Sequence, residues 1–298
     1  MQSFQYYIKT NVVFGEGSVC RTAELVKKHG GSRVLVVYGG GSAKRSGLLD
    51  RVFALLDEAL LPYDSIGGVQ PNPRVELARE GVKRAVEFRA DLILAVGGGS
   101  VIDTAKAIAH GAANPETDIW EFWKRREVLM RSTPVGVILT IPAAGSETSD
   151  SAVLTNEQEQ EKRGLNTDLN RPAFAILDPK LAMTLPPRQV SCGVTDILMH
   201  TLDRYFTPAD DNELTDALAE ALLLVESGER LYHANLWWGP FICFWVFWLE
   251  SVSVFLQQTR TGAVPRWRLA VCAAALAWHI VSGVCFLVML LQGVSYNV

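Results

Sequence analysis

Asp196 and His200 stand four residues apart in the run Cys192-Gly193-Val194-Thr195-Asp196-Ile197-Leu198-Met199-His200, which begins a helical segment. At that spacing two side chains leave one face of a helix about a turn apart. A carboxylate oxygen beside an imidazole nitrogen suits zinc or ferrous iron. A firmly held metal needs three or four protein ligands, so the pair alone more often reads as an N-terminal aspartate near an unrelated histidine.

A second kind of chemistry is suggested by two glycine turns, Gly39-Gly40-Gly41-Ser42 and Gly97-Gly98-Gly99-Ser100, each directly after a short apolar run. Glycine lets the backbone turn sharply and approach a ligand, while the following helix offers unpaired N–H groups to a phosphate. Either turn could be a tight strand-to-helix connection and no more. Two at successive strand ends point to a nucleotide, although neither is the GxGxxG fingerprint. The first strand ends without the acidic residue that would bond a ribose 2′-hydroxyl, and Ser42, Lys44 and Arg45 follow it. That combination suits a 2′-phosphate, so the expected cofactor is NADP(H). Asp103, three residues beyond Ser100, is either a favourable charge at a helix N-terminus or a group reaching the cofactor or substrate.

The elements that must position these groups follow a strand, turn, helix rhythm. Residues 34–38 predict a strand, 48–60 a helix, 75–88 a second helix after the break at Pro71-Asn72-Pro73, 91–96 a strand and 101–109 a third helix. Residues 135–141, 153–155 and 174–177 read as further strands, and from Pro186 to about Leu224 the pattern is helical. Apolar runs without alternation imply strands covered on both faces, as in a parallel sheet wrapped by helices. The division expected is an α/β Rossmann-like nucleotide-binding domain over 1–183, part of an all-helical metal-binding domain over 184–235, and a hydrophobic tail over 236–298.

The net charge of −4 and the lack of a long Lys or Arg block argue against a nucleic-acid partner. Five cysteines form no CxxC pair, and residues 1–17 lack the layout of a signal peptide, so a cytoplasmic setting is expected for the first 235 residues. Residues 236–298 differ: they hold four charged residues, Glu250, Arg260, Arg266 and Arg268, but six of the eight tryptophans. Residues 269–291, and 236–256 at the cost of Glu250, are long enough to cross a bilayer. The arginines between them would face the cytoplasm and place the α/β domain on the other side, away from cytoplasmic NADPH. The tail therefore reads as foreign sequence joined near Gly239, by a translated intron, a shifted frame or a fusion, ahead of a membrane anchor.

The run Gly97-Gly98-Gly99-Ser100-Val101-Ile102-Asp103-Thr104-Ala105-Lys106 resembles the GGGSxxDxAK signature of the iron-containing alcohol dehydrogenase family. Tyr38-Gly39-Gly40-Gly41-Ser42-Ala43-Lys44, Pro71 to Pro73, Gly145-Ser146-Glu147, Lys162-Arg163-Gly164 and Phe174-Ala175-Ile176-Leu177-Asp178-Pro179 resemble it too, to about Trp238. The YGGGS form is similar to the NADPH-dependent butanol dehydrogenase or aldehyde reductase branch rather than to the dehydroquinate synthase and glycerol dehydrogenase groups. The resemblance implies an α/β domain of dehydroquinate synthase-like architecture, a helical domain, and a divalent metal, iron or zinc, held by one Asp and three His. It matches Asp196 and His200 to the first two ligands. It matches Gly40, Ser42 and the neighbouring Lys44 to the adenosine ribose side, Asn72 to the adenine side, and Gly98, Gly99 and Ser100 to the pyrophosphate. Asp103, Thr140, Ser149 and Lys162 match positions lining the rest of the cofactor. Ala144 replaces a threonine usual in the family, which removes a hydroxyl from that pocket. The implied reaction passes hydride between NADP(H) and a primary alcohol or aldehyde polarised by the metal, in a chain that the family would pair as a homodimer. The family's last two histidines do not follow. After His200 only His233 and His279 occur, in other contexts. The expectation is thus an enzyme, with its activity in this form left open, or a catalytically silent NADP-binding chain whose tail tethers it to a membrane.

Overall fold

A computed structural model describes residues 8–207 and 213–227. These residues divide into two compact units, with the break between Thr201 and Leu202. The hydrophobic tail, its two candidate membrane spans, His233 and His279 lie outside the described residues. Among those described, no helix is long and apolar enough to cross a membrane.

The first unit is built on a parallel sheet. In chain order its elements are β1 (Asn11–Phe14), α1 (Thr22–Lys28), β2 (Val34–Gly39), α2 (Ser42–Arg45), α3 (Leu48–Glu58), β3 (Tyr63–Val69), α4 (Val75–Phe88), β4 (Leu92–Gly97), α5 (Gly99–Ala113), α6 (Ile119–Trp123), β5 (Val135–Leu139), β6 (Ser151–Asn156), β7 (Glu161–Asn166), β8 (Phe174–Leu177) and α7 (Pro179–Ala182). Helix α8 (Pro187–Tyr205) crosses the break between units, and α9 (Glu213–Ser227) belongs to the second. Six strands pair in the order β1-β8-β5-β4-β2-β3, all parallel, while β6 and β7 form a separate antiparallel pair.

The lack of alternation in the central strands has a direct cause. Along β2, Val34 and Val36 enter one buried cluster with Leu25, Leu49, Val52 and Phe174, whereas Leu35 and Val37 enter the other with Ala78, Ile102 and Trp123. Successive side chains point to opposite faces of a sheet, and here helices cover both, so every position must be apolar. That is the α/β arrangement expected from the sequence.

The expected strands and helices are present with small shifts of boundary. The 101–109 helix begins earlier, at Gly99, because the Gly98 carbonyl accepts from the N–H groups of Val101 and Ile102. Strands β1, β3 and β7 and the short helices α1, α2, α6 and α7 were not foreseen. The first two are the edge strands of the sheet, where the continuous apolar signal is not required. β3 also carries Gly67, where a Cβ would lie 2.2 Å from the Tyr38 ring. β7, with the sequence EKRGLN, is polar because most of it is not buried.

Candidate functional site

The chain runs from β2 to β3 on one side, then crosses to β4 on the other side of β2. The order of strands therefore reverses between β2 and β4, and the crevice outside such a reversal is where open α/β sheets bind ligands. Both glycine turns lie there, one at the carboxyl end of β2 and the other at that of β4. Thr140 follows β5, and its N–H donates to the Gly97 carbonyl at 3.0 Å, tying the β5 exit to the second turn.

The second turn is shaped to receive an anion. Val101 and Ile102 N–H bond back to Gly98, which leaves the Gly99 and Ser100 N–H groups at the mouth of α5, the positive end of a long helix. A Cβ on Gly99 would meet nothing within 4 Å, so the backbone is open on that side. Around the first turn, Gly40, Ser42, Lys44 and Arg45 are exposed, and the Lys44 ammonium sits 5.1 Å from the centre of the Tyr38 ring. The residues present fit a dinucleotide's phosphates.

Two residues that the resemblance matched to the cofactor meet directly although ninety positions apart: Asn72, in the left-handed conformation at φ 59°, accepts at 2.9 Å from the Lys162 ammonium on β7. Asp103 does more than face a helix end. Its Oδ1 accepts from the Ser146 hydroxyl at 2.7 Å and its Oδ2 from the Val153 N–H at 3.0 Å. Burial raises the Asp103 pKa, against the opposing pull of Ser146, Lys106 and the Val153 N–H.

Lys106 has the largest role that the sequence reading passed over. It is fully buried, and its ammonium donates to the Ser146 carbonyl at 2.8 Å, the Ser146 hydroxyl at 3.1 Å, the Ser149 carbonyl at 3.3 Å and the Ser151 carbonyl at 2.7 Å. Burial pushes its pKa down to about 8, with Asp103, Glu147 and Asp150 pulling the other way, so it is an ammonium at neutral pH. Asp103 and Lys106, one turn apart on α5, together hold the loop that carries Ser149 and the start of β6. The outer edge of β6 is completed by the Pro73 carbonyl, which accepts from Thr155 N–H at 2.8 Å, and by Trp123 Nε1, which donates to the Ala152 carbonyl at 3.1 Å. An isolated two-stranded hairpin is marginal in water; this one is fixed by α5, α6 and the 71–74 loop. The signal in the sequence was a lysine inside an otherwise apolar helix, one turn after Asp103.

His110, further along α5, supports the same hairpin. It is fully buried, with Nε2 2.7 Å from Asn170 Oδ1 and Nδ1 2.8 Å from Ser132 Oγ. Asn170 spends its Nδ2 on the carbonyls of Asp150 and Leu165, so its Oδ1 must accept. This assigns the proton to Nε2 of a neutral ring, with the Ser132 hydroxyl donating to Nδ1. Burial lowers the His110 pKa to about 4 from 6.5. The unfolded chain therefore binds this proton first as pH falls, and the stability from the neutral ring is full above 6.5 and lost progressively towards 4. Between pH 7 and 5 the loss is expected to be on the order of 2 kcal/mol, read by denaturant titration at both pH values. A His110→Gln chain that keeps the same pH slope would remove this group as its source.

The Asp196–His200 pair is less complete. Both side chains are about half exposed on α8, with His200 Nε2 3.9 Å from Asp196 Oδ1. Gly193 lets α8 pass close to the loop after β5, since a Cβ there would lie 3.0 Å from the Pro142 carbonyl oxygen. Among the described residues no three His, Cys, Asp or Glu side chains come together as a metal set. One carboxylate and one imidazole are a suitable beginning for iron or zinc, but as they stand the described residues do not make a metal site.

Comparison with known proteins agrees with this geometry. Residues 9–179 match the family model described as iron-containing alcohol dehydrogenase. The chain is 42% identical over 223 residues to an NADH-dependent butanol dehydrogenase A of Clostridium acetobutylicum, covering 75% of this chain and 57% of that protein. It is 38% identical over 236 residues to an NADPH-dependent aldehyde reductase of Escherichia coli, covering 77% and 59%. The crystal structure of an NADH-dependent butanol dehydrogenase A from Thermotoga maritima superposes with a TM-score of 0.72 at 36% identity, over 74% of this chain and 55% of that one. The chain thus spans less than two thirds of the length of these relatives.

Proposed function

The chain belongs to the iron-containing alcohol dehydrogenase family, and on that premise we propose that it binds NADP(H) and takes part in hydride transfer between that cofactor and a primary alcohol or aldehyde. The observation that carries the proposal is the pair of glycine turns flanking the reversal of strand order between β2 and β4. Bound nicotinamide would supply the hydride chemistry. The protein's part is to hold and orient it. Gly98, Gly99 and Ser100 would receive the pyrophosphate at the mouth of α5, with Gly40, Ser42 and Lys44 at the ribose phosphate, Asn72 and Lys162 on the adenine side, and Asp103, Thr140 and Ser149 along the rest. Asp196 and His200 would begin a metal set in a helical domain starting near residue 184.

The choice of NADP(H) over NAD(H) rests on the exposed cations after β2 and on the lack of a carboxylate in Gly39-Gly40-Gly41-Ser42. The relatives include NADH- and NADPH-dependent proteins, each by its own name. Replacing Lys44 and Arg45 by alanine is expected to weaken NADPH about tenfold, roughly 1.4 kcal/mol, with little change for NADH. Nucleotide fluorescence titrations of the two chains read this directly, and equal losses for both nucleotides would discard the 2′-phosphate assignment.

A second reading, nucleotide binding without turnover, is favoured by the lack, among the described residues, of a third ligand beside Asp196 and His200. One experiment separates the readings: NADPH binding and aldehyde reduction by the full chain, with Fe2+ or Zn2+ supplied. Binding with metal-dependent turnover supports the dehydrogenase, and binding without turnover supports the silent chain. Failure to bind either nucleotide sinks both. The cytoplasmic setting and a homodimer remain part of the proposal, with fractionation and sedimentation as their tests.

A further inference from the structure

Tyr38 stands near the end of β2, directly before the first glycine turn. Val34 to Val37 before it are fully buried, but Tyr38 is half-buried, so its ring belongs partly to the core and partly to the surface of the turn. The ring lies over Gly67 of the neighbouring strand β3. A Cβ on Gly67 would fall 2.2 Å from Tyr38 Cε2 and 2.8 Å from its phenolic oxygen. Any other residue there would fill the slot, so the missing side chain is what lets the ring lie across β3. The same ring has the Lys44 ammonium 5.1 Å from its centre, within reach of a cation–π attraction.

The two cations after the turn are both drawn back onto it. Their backbone is set by α2, where the Arg45 N–H donates to the Gly41 carbonyl and the Ser46 N–H to the Ser42 carbonyl, each at 3.0 Å. The Arg45 guanidinium lies against Gly41, 2.7 Å from where a Cβ would stand. Arg45 thus uses room that a glycine leaves, whereas Lys44 uses the Tyr38 ring. An exposed lysine without such a contact samples many rotamers, and that freedom is lost when it binds a phosphate.

We propose that Tyr38 is a positioning residue for the 2′-phosphate of NADPH: its ring, seated on Gly67, holds the Lys44 ammonium at the first glycine turn and so sets the preference for NADPH over NADH. The inference rests on the NADP(H) reading above. Tyr38 acts through Lys44 and needs no contact of its own with the cofactor. An ammonium already held in place gives up less freedom on binding, and an aromatic face takes up none of its three N–H donors as a lone-pair acceptor would. NADH carries a hydroxyl where NADPH carries the phosphate, so the effect belongs to NADPH alone.

The test is fluorescence titration of the full chain with NADPH and with NADH at one ionic strength. Tyr38→Leu is expected to weaken NADPH about fivefold and NADH by less than about twofold, while Tyr38→Phe, which keeps the ring, restores the parent's NADPH affinity. Gly67→Ala, which pushes the ring from its seat, should give the same selective loss with Tyr38 intact. Lys44→Met should weaken NADPH by itself, and adding Tyr38→Leu to it should cost nothing further, because the ring then has no ammonium to hold. Equal losses for both nucleotides, a Tyr38→Phe chain as weak as Tyr38→Leu, or a Tyr38→Leu effect undiminished beside Lys44→Met overturns the proposal. A parent chain that prefers NADPH and is unmoved by Tyr38→Leu ends this inference alone. A parent that binds NADH as tightly as NADPH ends the NADP(H) reading, and this inference with it.

Discussion

Lys106→Met is expected to lower the stability of the chain by about 3–5 kcal/mol, a change large enough to leave little of an ordinary domain's margin. Two effects oppose each other. Removing the ammonium relieves the burial that pushes its pKa from 10.5 to about 8, worth roughly 3 kcal/mol. It also removes a three-proton charged donor shared among four acceptors, at roughly 1.5–3 kcal/mol per proton, and strands the carbonyls of Ser146, Ser149 and Ser151. The second effect is the larger. Methionine keeps most of the apolar stem, so the loss reports on the ammonium rather than on a void. Guanidinium unfolding of both chains at pH 7 measures it. An unchanged midpoint would mean that the 146–151 loop is held by something else. Because the same loop carries Ser149, nucleotide affinity should fall together with stability.

Gly99→Val separates function from fold in the opposite direction. Nothing lies within 4 Å of a Cβ at this position, and it is the first residue of α5, so the substitution strains neither packing nor the helix. The isopropyl group would instead fill the open side of the turn, against the N–H groups at the helix mouth. If the pyrophosphate sits there, NADPH affinity should fall about 100-fold, close to 2.7 kcal/mol, while the unfolding midpoint moves little. Nucleotide titration and thermal unfolding of the same preparation give both numbers. Undiminished binding would place the phosphates away from the second turn and undo the assignment of Gly98, Gly99 and Ser100 together.

The sequence by itself determined the central architecture. Largely apolar runs at residues 34–38, 91–96 and 135–141, the first two followed by a glycine turn and a helix, are the direct imprint of strands buried on both faces. The glycine turns were legible for a similar reason. Glycine lets the backbone approach a ligand, and packing adds its own demand, since a Cβ on Gly97 would lie 2.5 Å from the Val101 side chain. The edge strands β1 and β3 were not legible, because among the described residues one edge of each has no neighbour, and the residues there need not be uniformly apolar. Nor was β7, whose polar sequence is a strand only because β6 pairs with it.

The tertiary structure alone decided which distant groups meet. Asp103 read equally well as a helix-end charge. Its partners, Ser146 and Val153, are more than forty residues away, and no local pattern points to them. The ion that bridges Ser146, Ser149 and Ser151 comes from Lys106, a residue whose burial cannot be inferred from its type. The pairing of Asn72 with Lys162 depends on the hairpin folding back over the end of β3, which is fixed by Pro73 and Thr155 rather than by either residue. Local chemistry writes the strands, turns and helices into the sequence. Contacts across the chain are set by how those elements close on one another, and they appear only once the sheet has ordered them.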